Sequence, residues 1–274
     1  MFKNIHSNMG YGDGDIRVDL RLSKNQYALG ETLCGEIEVI AGSVKQYINQ
    51  IYVRCYVSFV IDNHEQTQLV YSYPIRIQSG LDVNERKCYA FTFGIREDLL
   101  VSSHTTTYYF ETKSNKRSES LSNREYFEIV PPSYLQQLID SFQQLGFQEK
   151  YGSRRFNGHY QEFVFAPASF LRGKVEEVKF VAELSREGIL LNLKLDAYWF
   201  WREHELKRQV WFSHELLDRP SELEDFVEFV LQDMLRNPHF PHIDFHPEYH
   251  HYFSFVYSMS DLSRAIGSFV ARVF

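Results

Sequence analysis

The sequence predicts an all-β fold: two β-sandwiches in tandem, a helix linking them, and helices at the C-terminal end. Three observations carry this. Apolar and polar residues alternate at period two along most of the chain, and short turn signals separate the alternating runs. A helical stripe after Pro131-Pro132 divides the 274 residues into parts of 1–130 and 131–274.

The first run sets Ile16, Val18, Leu20 and Leu22 against Arg17, Asp19 and Arg21. At Gly30 a turn between two strands calls for a positive φ angle, and Glu31 suits a turn hydrogen bond better than acid catalysis. Ile51, Val53, Cys55, Val57 and Phe59 form one face of a long strand, with Tyr52, Arg54, Tyr56 and Ser58 on the other. Leu69, Tyr71, Tyr73, Ile75 and Ile77 alternate as a further buried face, as do Tyr89, Phe91 and Phe93. Cys55 reads as a small core hydrophobe rather than a reactive thiol. Lys113–Asn123 (KSNKRSESLSN) is polar, Ser-rich and locally basic. It reads as a solvated hairpin loop, with Lys113, Lys116 and Arg117 as the residues placed to meet a protein partner.

In the second part, Ser133 stands where a helix cap belongs and Gly146 where a left-handed residue ends the helix. Leu135, Leu138, Ile139, Phe142 and Leu145 make its apolar stripe. Strands resume at Phe163 and Phe165, then at Val178–Leu184 and Ile189–Leu195, the last two joined by a tight turn at Arg186-Glu187-Gly188. Another strand runs near Lys207–Ser213, and together these predict a second sandwich. Ser221 and Glu224 spell a capping box ahead of Leu223, Phe226, Val227, Val230, Leu231 and Met234, and Asn237-Pro238 ends that helix. A last helix is predicted from Ser260.

Composition bounds the function. With 44% hydrophobic, 24% charged and 16% aromatic residues the chain is no disordered segment. Its 29 Lys+Arg against 36 Asp+Glu leave a formal charge of −7, the wrong balance for a broad nucleic-acid footprint. Cys34, Cys55 and Cys88 are too few, and odd in number, for a disulfide framework. Residues Met1–His6 lack the apolar run of a signal peptide, and no stretch approaches the roughly 18 apolar residues of a membrane span. A cytoplasmic protein without membrane insertion is expected.

Several stretches together resemble the bacterial sporulation-control protein family. They are Ile16-Arg-Val-Asp-Leu20, Tyr27-Ala-Leu-Gly-Glu31, Gly35-Glu-Ile-Glu-Val39, Gly42-Ser-Val-Lys-Gln46 and Ile48-Asn-Gln-Ile-Tyr52. Tyr126-Phe-Glu-Ile-Val-Pro131, Leu145-Gly-Phe147, Gln161-Glu-Phe-Val-Phe165 and Phe170-Leu-Arg-Gly-Lys-Val-Glu-Glu-Val178 continue the series. The resemblance spans roughly the first three quarters of the chain and lies in order and spacing. It implies an arrestin-like pair of sandwiches without a catalytic centre, in a regulatory or scaffold protein that acts by contact. Thr105–Arg124 departs from the family's strand ending, and the tail after Ser213 is less similar.

Gly10-Tyr-Gly-Asp-Gly14 follows no strand and precedes no Gly-Lys-Ser/Thr. Adjacent Ser103 and His104 would face opposite ways on a strand. Glu36/Glu38 and Glu176/Glu177 come with no pocket. Tyr198, Trp199, Phe200, Trp201, Trp211 and Phe212 suit core packing. Five of eleven histidines fall within residues 239–251, with Asp244 and Glu248 between them. Imidazole and carboxylate suit zinc, copper or nickel, and His242, His246 and His250 are the preferred ligands. Pro238, Pro241 and Pro247 deny this run a helical ligand pair, so a packed loop is the plainer reading.

The expectation is therefore a non-enzymatic regulator binding a protein partner and no cofactor, with a metal-binding, hydrolytic protein using the histidines as the alternative.

Overall fold

Strand alternation is answered by pairing throughout. The computed structural model describes residues 17–45, 50–77, 80–114, 124–199, 202–238 and 242–243. The chain divides into two units, Met1–Val130 and Pro131–Phe274.

The first unit holds β1 (Arg17–Leu22), β2 (Gln26–Ala28), β3 (Thr32–Ile40), β4 (Gln50–Ile61), β5 (His64–Arg76), β6 (Arg86–Gly94), β7 (Thr106–Ser114) and β8 (Arg124–Val130). They form a three-stranded sheet, β1-β3-β6, and a five-stranded sheet, β2-β8-β7-β4-β5. Pairing is antiparallel except between β2 and β8. Between the sheets Leu33, Ile37, Val39, Phe91 and Phe93 meet Ile51, Val53, Cys55, Phe110 and Ile129, all buried. Rings bridge the layers: Phe91 and Phe93 lie 5.6 and 6.3 Å from Phe110, and Tyr71 lies 4.9 Å from Phe93. Gly35 is opposite Phe91 because a Cβ there would meet that ring at 2.4 Å. Cys55 is fully buried, and burial pushes its thiol far up, away from the reactive thiolate.

Two expectations hold at the first turn. Gly30 has φ +82°, and Glu31 Oε2 accepts a 2.9 Å hydrogen bond from the Ala28 amide. The ammonium of Lys24, then the Ala28 amide, hold this carboxyl below its usual range. One expectation fails. Leu69 is 41% exposed and pairs with Tyr56, whereas Tyr71 pairs with Cys55. A β-bulge at Val70 breaks the period-two count and sends Leu69 to the opposite face.

The second unit holds α1 (Ser133–Gln144), β9 (Phe147–Glu149), β10 (Arg155–Phe156), β11 (Gln161–Pro167), β12 (Val175–Leu184), β13 (Gly188–Trp199), β14 (Arg202–Ser213), α2 (His214–Leu217), α3 (Pro220–Arg236) and β15 (His242–Ile243). Its described residues form one sheet, β10-β11-β12-β13-β14-β15, with β9 against β11. The layer opposite the sheet is helical. Phe142 of α1 stacks on Phe165 and Phe180, each at 5.4 Å, and Phe226 of α3 meets Phe212 at 5.4 Å. A helix covers an apolar sheet face as well as a second sheet does, so alternation cannot tell the two apart.

Helix ends show where local patterns mislead. Gly146 does turn left-handed after α1, at φ +88°. Ser133, however, is the first helical residue: Pro132 is the cap position, and no side chain caps this end. Ser221 likewise sits inside α3, which begins at Pro220 after Arg219, so the capping box does not form. In α3 the proline at the first helical position moves the start one residue ahead of the serine, and in α1 Pro132 itself takes the cap position. The hydroxyl that does cap a helix is that of Ser213, accepting from the Leu216 amide at 3.3 Å. Among the described residues no helix is long and apolar enough to cross a membrane.

Candidate functional site

The outward face of the five-stranded sheet is built from the polar half of the alternation. Its inner residues are consumed by the sandwich core, so Tyr52, Arg54, Tyr56 and Ser58 of β4 stand on the other side. Register then assembles a row across four strands. Leu69 pairs with Tyr56, Tyr56 with Tyr109, and Tyr109 with Tyr126. Tyr56 and Tyr109 stack at 5.5 Å, and Tyr109 and Tyr126 lie at 5.6 Å. The middle of the row is covered, with Tyr109 at 4% exposure, while its ends, Leu69 at 41% and Tyr126 at 56%, are open. The bulge at Val70 is what brings Leu69 into this row.

A charged row runs beside it. Register sets the buried Glu111 between Arg54 and Arg124. The Arg124 guanidinium lies 4.4 Å from the Tyr109 ring centroid and hydrogen-bonds Tyr126, a bond that pushes its pKa up; Arg54 lies 5.4 Å from the Tyr52 ring. Burial pushes the Tyr109 phenol up, against the pull of Arg124. Ser58 donates a 2.5 Å hydrogen bond to Glu65 Oε1. The face is thus an aromatic strip held flat by cation–π contacts, with apolar surface at both ends.

The sheet edge beside it is guarded. In the strand order β5 is outermost, and Pro74 removes a donor from it. The bulge and the charged His64–Glu65 end further spoil it as a template for strand addition.

The residues singled out in the sequence fall in different places. Lys113 lies on β7, opposite Tyr52 in the register and two residues beyond Glu111. Lys116 and Arg117 lie outside the described residues, in the connection from β7 to β8. His242 belongs to β15 and pairs with Gln209; His246 and His250 lie outside the described residues, as do Gly10–Gly14 and the helix expected from Ser260. Among the described residues no group of three or more His, Cys, Asp or Glu could hold a metal ion. Ser103 and His104 belong to a turn rather than a strand, and the Ser103 hydroxyl bonds to Thr105. Glu38 is paired with Arg21 and Arg86, and Glu177 with Lys150 and Lys179. The aromatic concentration divides: Phe212 is core, whereas Tyr198 is 48% exposed. Sequence reasoning missed the tyrosine row itself. Its signal was the tyrosine and arginine content of faces opposite the apolar ones.

Comparison with known proteins adds an independent line. The family model described as SpoOM protein matches residues 2–198. The sporulation-control protein spo0M of Bacillus subtilis (strain 168) is 24% identical over 255 residues, covering 84% of this chain and 97% of that protein. The crystal structure of Spo0M from Bacillus subtilis aligns with a TM-score of 0.64 and 21% identity over 80% of this chain and 98% of that one, a likeness of fold. Since the family model covers well over half of its length, the chain belongs to the SpoOM protein family.

Proposed function

We propose that this chain is a non-enzymatic regulatory protein of the sporulation-control kind, acting in the cytoplasm by contact with a protein partner. The outward face of the five-stranded sheet is the contact surface, and the open ends of its aromatic row are the observation that carries the reading. Tyrosine and arginine are the side chains that most often anchor interfaces, and here they are held rigid before any partner arrives. Lys113, Lys116 and Arg117, within or next to the segment that follows β7 in the sequence, would supply charge that steers association more than it holds it.

The test is paired capture from native lysate with the wild type and with L69S/Y126S. Both changes fall on exposed side chains, so an unchanged Tm is expected. A protein enriched near stoichiometry by the wild type and lost from the variant is the expected result. Equal recovery by both would remove the face from the reading, and no enrichment by the wild type at physiological salt would remove the reading itself.

The concentration of histidines in residues 239–251 favours the metal-binding alternative and gives a direct discrimination. A contact regulator should hold no stoichiometric metal after dialysis. Metal retained near one equivalent, and lost in H242A/H246A by elemental analysis, would favour the hydrolytic alternative.

A further inference from the structure

A cavity of about 620 Å³ opens in the second unit, where the segment before β12, the end of β13 and the last turn of α3 meet. Its volume is that of a small-molecule site. Three cations line it, Arg172, Lys174 and Arg236, and among the described residues no carboxylate does. Its apolar wall includes Phe170, Leu206 and Leu235.

All three cations are exposed and stand around the opening of the cavity. Arg236 has a local reason to be there, as the basic residue of the last turn of α3, and its guanidinium donates to Gln232 Oε1 at 3.1 Å. Arg172 and Lys174 have none: neither forms an ion pair among the described residues. They are presented by a tight loop in which Leu171, a branched residue, holds φ +59° and Gly173 holds φ +80°. The amides of Lys174 and Val175 both donate to the Leu171 carbonyl at 3.0 Å. A left-handed leucine is a strained choice where glycine would serve, and strain of this kind collects at binding sites.

We propose that this cavity binds a small phosphate monoester carrying an apolar group. The phosphate meets Arg172, Lys174 and Arg236, and the apolar group lies on Phe170, Leu206 and Leu235. A guanidinium presents paired donors that match phosphate oxygens, and the lysine adds a point charge. The fused Arg-Gly-Lys run, Arg172-Gly173-Lys174, is the sequence feature that the sheet face leaves unused.

The experiment is isothermal titration of the full chain with phenyl phosphate, with inorganic phosphate and with phosphatidylglycerol vesicles, each with a thermal-shift readout. Phenyl phosphate should bind saturably, more tightly than inorganic phosphate, and raise the Tm by mass action. R172Q/K174Q should keep the Tm of the free protein and weaken phenyl phosphate by about tenfold or more. R236Q is a second, independent variant with the same expected direction. The proposal is overturned by no saturation below about 10 mM, where affinity falls under any specific range. It is also overturned by equal affinity in the folded variants, or by binding to the vesicles alone.

Discussion

F180A should cost the second unit about 3–5 kcal/mol, the range for removing a large buried aromatic side chain. Phe180 is fully buried and is the hub of a ring cluster: Phe163 stacks on it at 5.0 Å, Phe142 at 5.4 Å and Phe165 at 5.7 Å. Each such pair adds roughly 0.5–1.5 kcal/mol beyond the area it buries. Two of the partners are strand neighbours, but Phe142 belongs to α1, so the substitution also loosens the helix from the sheet. In calorimetry the unit's Tm should fall by about 10–20 °C. F229A, at a half-exposed position on α3, is the control and should stay within about 1 kcal/mol. A loss below about 1 kcal/mol for F180A would mean that the cluster relaxes around the vacancy and is not tightly packed.

R208A should cost about 3 kcal/mol, the lower end for breaking a buried ion pair. Arg208 occupies an inward position of β14 between Leu206 and Val210, with its side chain 1% exposed. It donates to Asp233 Oδ2 at 2.5 Å and to the Asn237 carbonyl at 3.1 Å, and so binds the C-terminal end of α3 to the sheet. A cation at a helix C-terminus also meets the negative end of its dipole. Replacing both partners by apolar residues, R208M/D233L, should recover much of the loss, because no unpaired charge remains. Urea unfolding of the three proteins reads this directly, and equal losses in the single and double variants would contradict it.

The same pair sets an acid dependence. The Asn237 amide first, and the Arg208 guanidinium with it, hold the Asp233 carboxyl below its ordinary 3.8. A folded pKa below the unfolded one gives stability that is present above about pH 4 and lost as the pH falls through the folded value. D233N should therefore differ from the wild type above that window and converge with it below.

Much of this was legible in the residues. Gly30 and Gly146 announce left-handed turns because few other residues tolerate them, and period-two runs place Ile51, Val53 and Cys55 in a core because strand geometry leaves them one face. Arg208 was legible in part: a cation among Leu206, Val210 and Phe212 signals a buried partner, but nothing local says that the partner is Asp233. Caps were misread for a different reason. Ser133 and Ser221 carry the right chemistry, yet the proline before each shifts the helix start and leaves the hydroxyl inside.

What the sequence determined by itself was therefore what short-range sterics and periodicity decide: strand runs, turn glycines, and the order of stretches that marks the family. Tertiary structure decided everything that depends on register between distant strands. Tyr56, Tyr109 and Tyr126 become neighbours only through the pairing of β4, β7 and β8, and Leu69 joins them only through a bulge. The same holds for the helical cover of the second sheet and for the three cations around one cavity. Alternation is satisfied by many registers and by either kind of covering layer; the choice falls to the packing of the whole unit, which no local window contains.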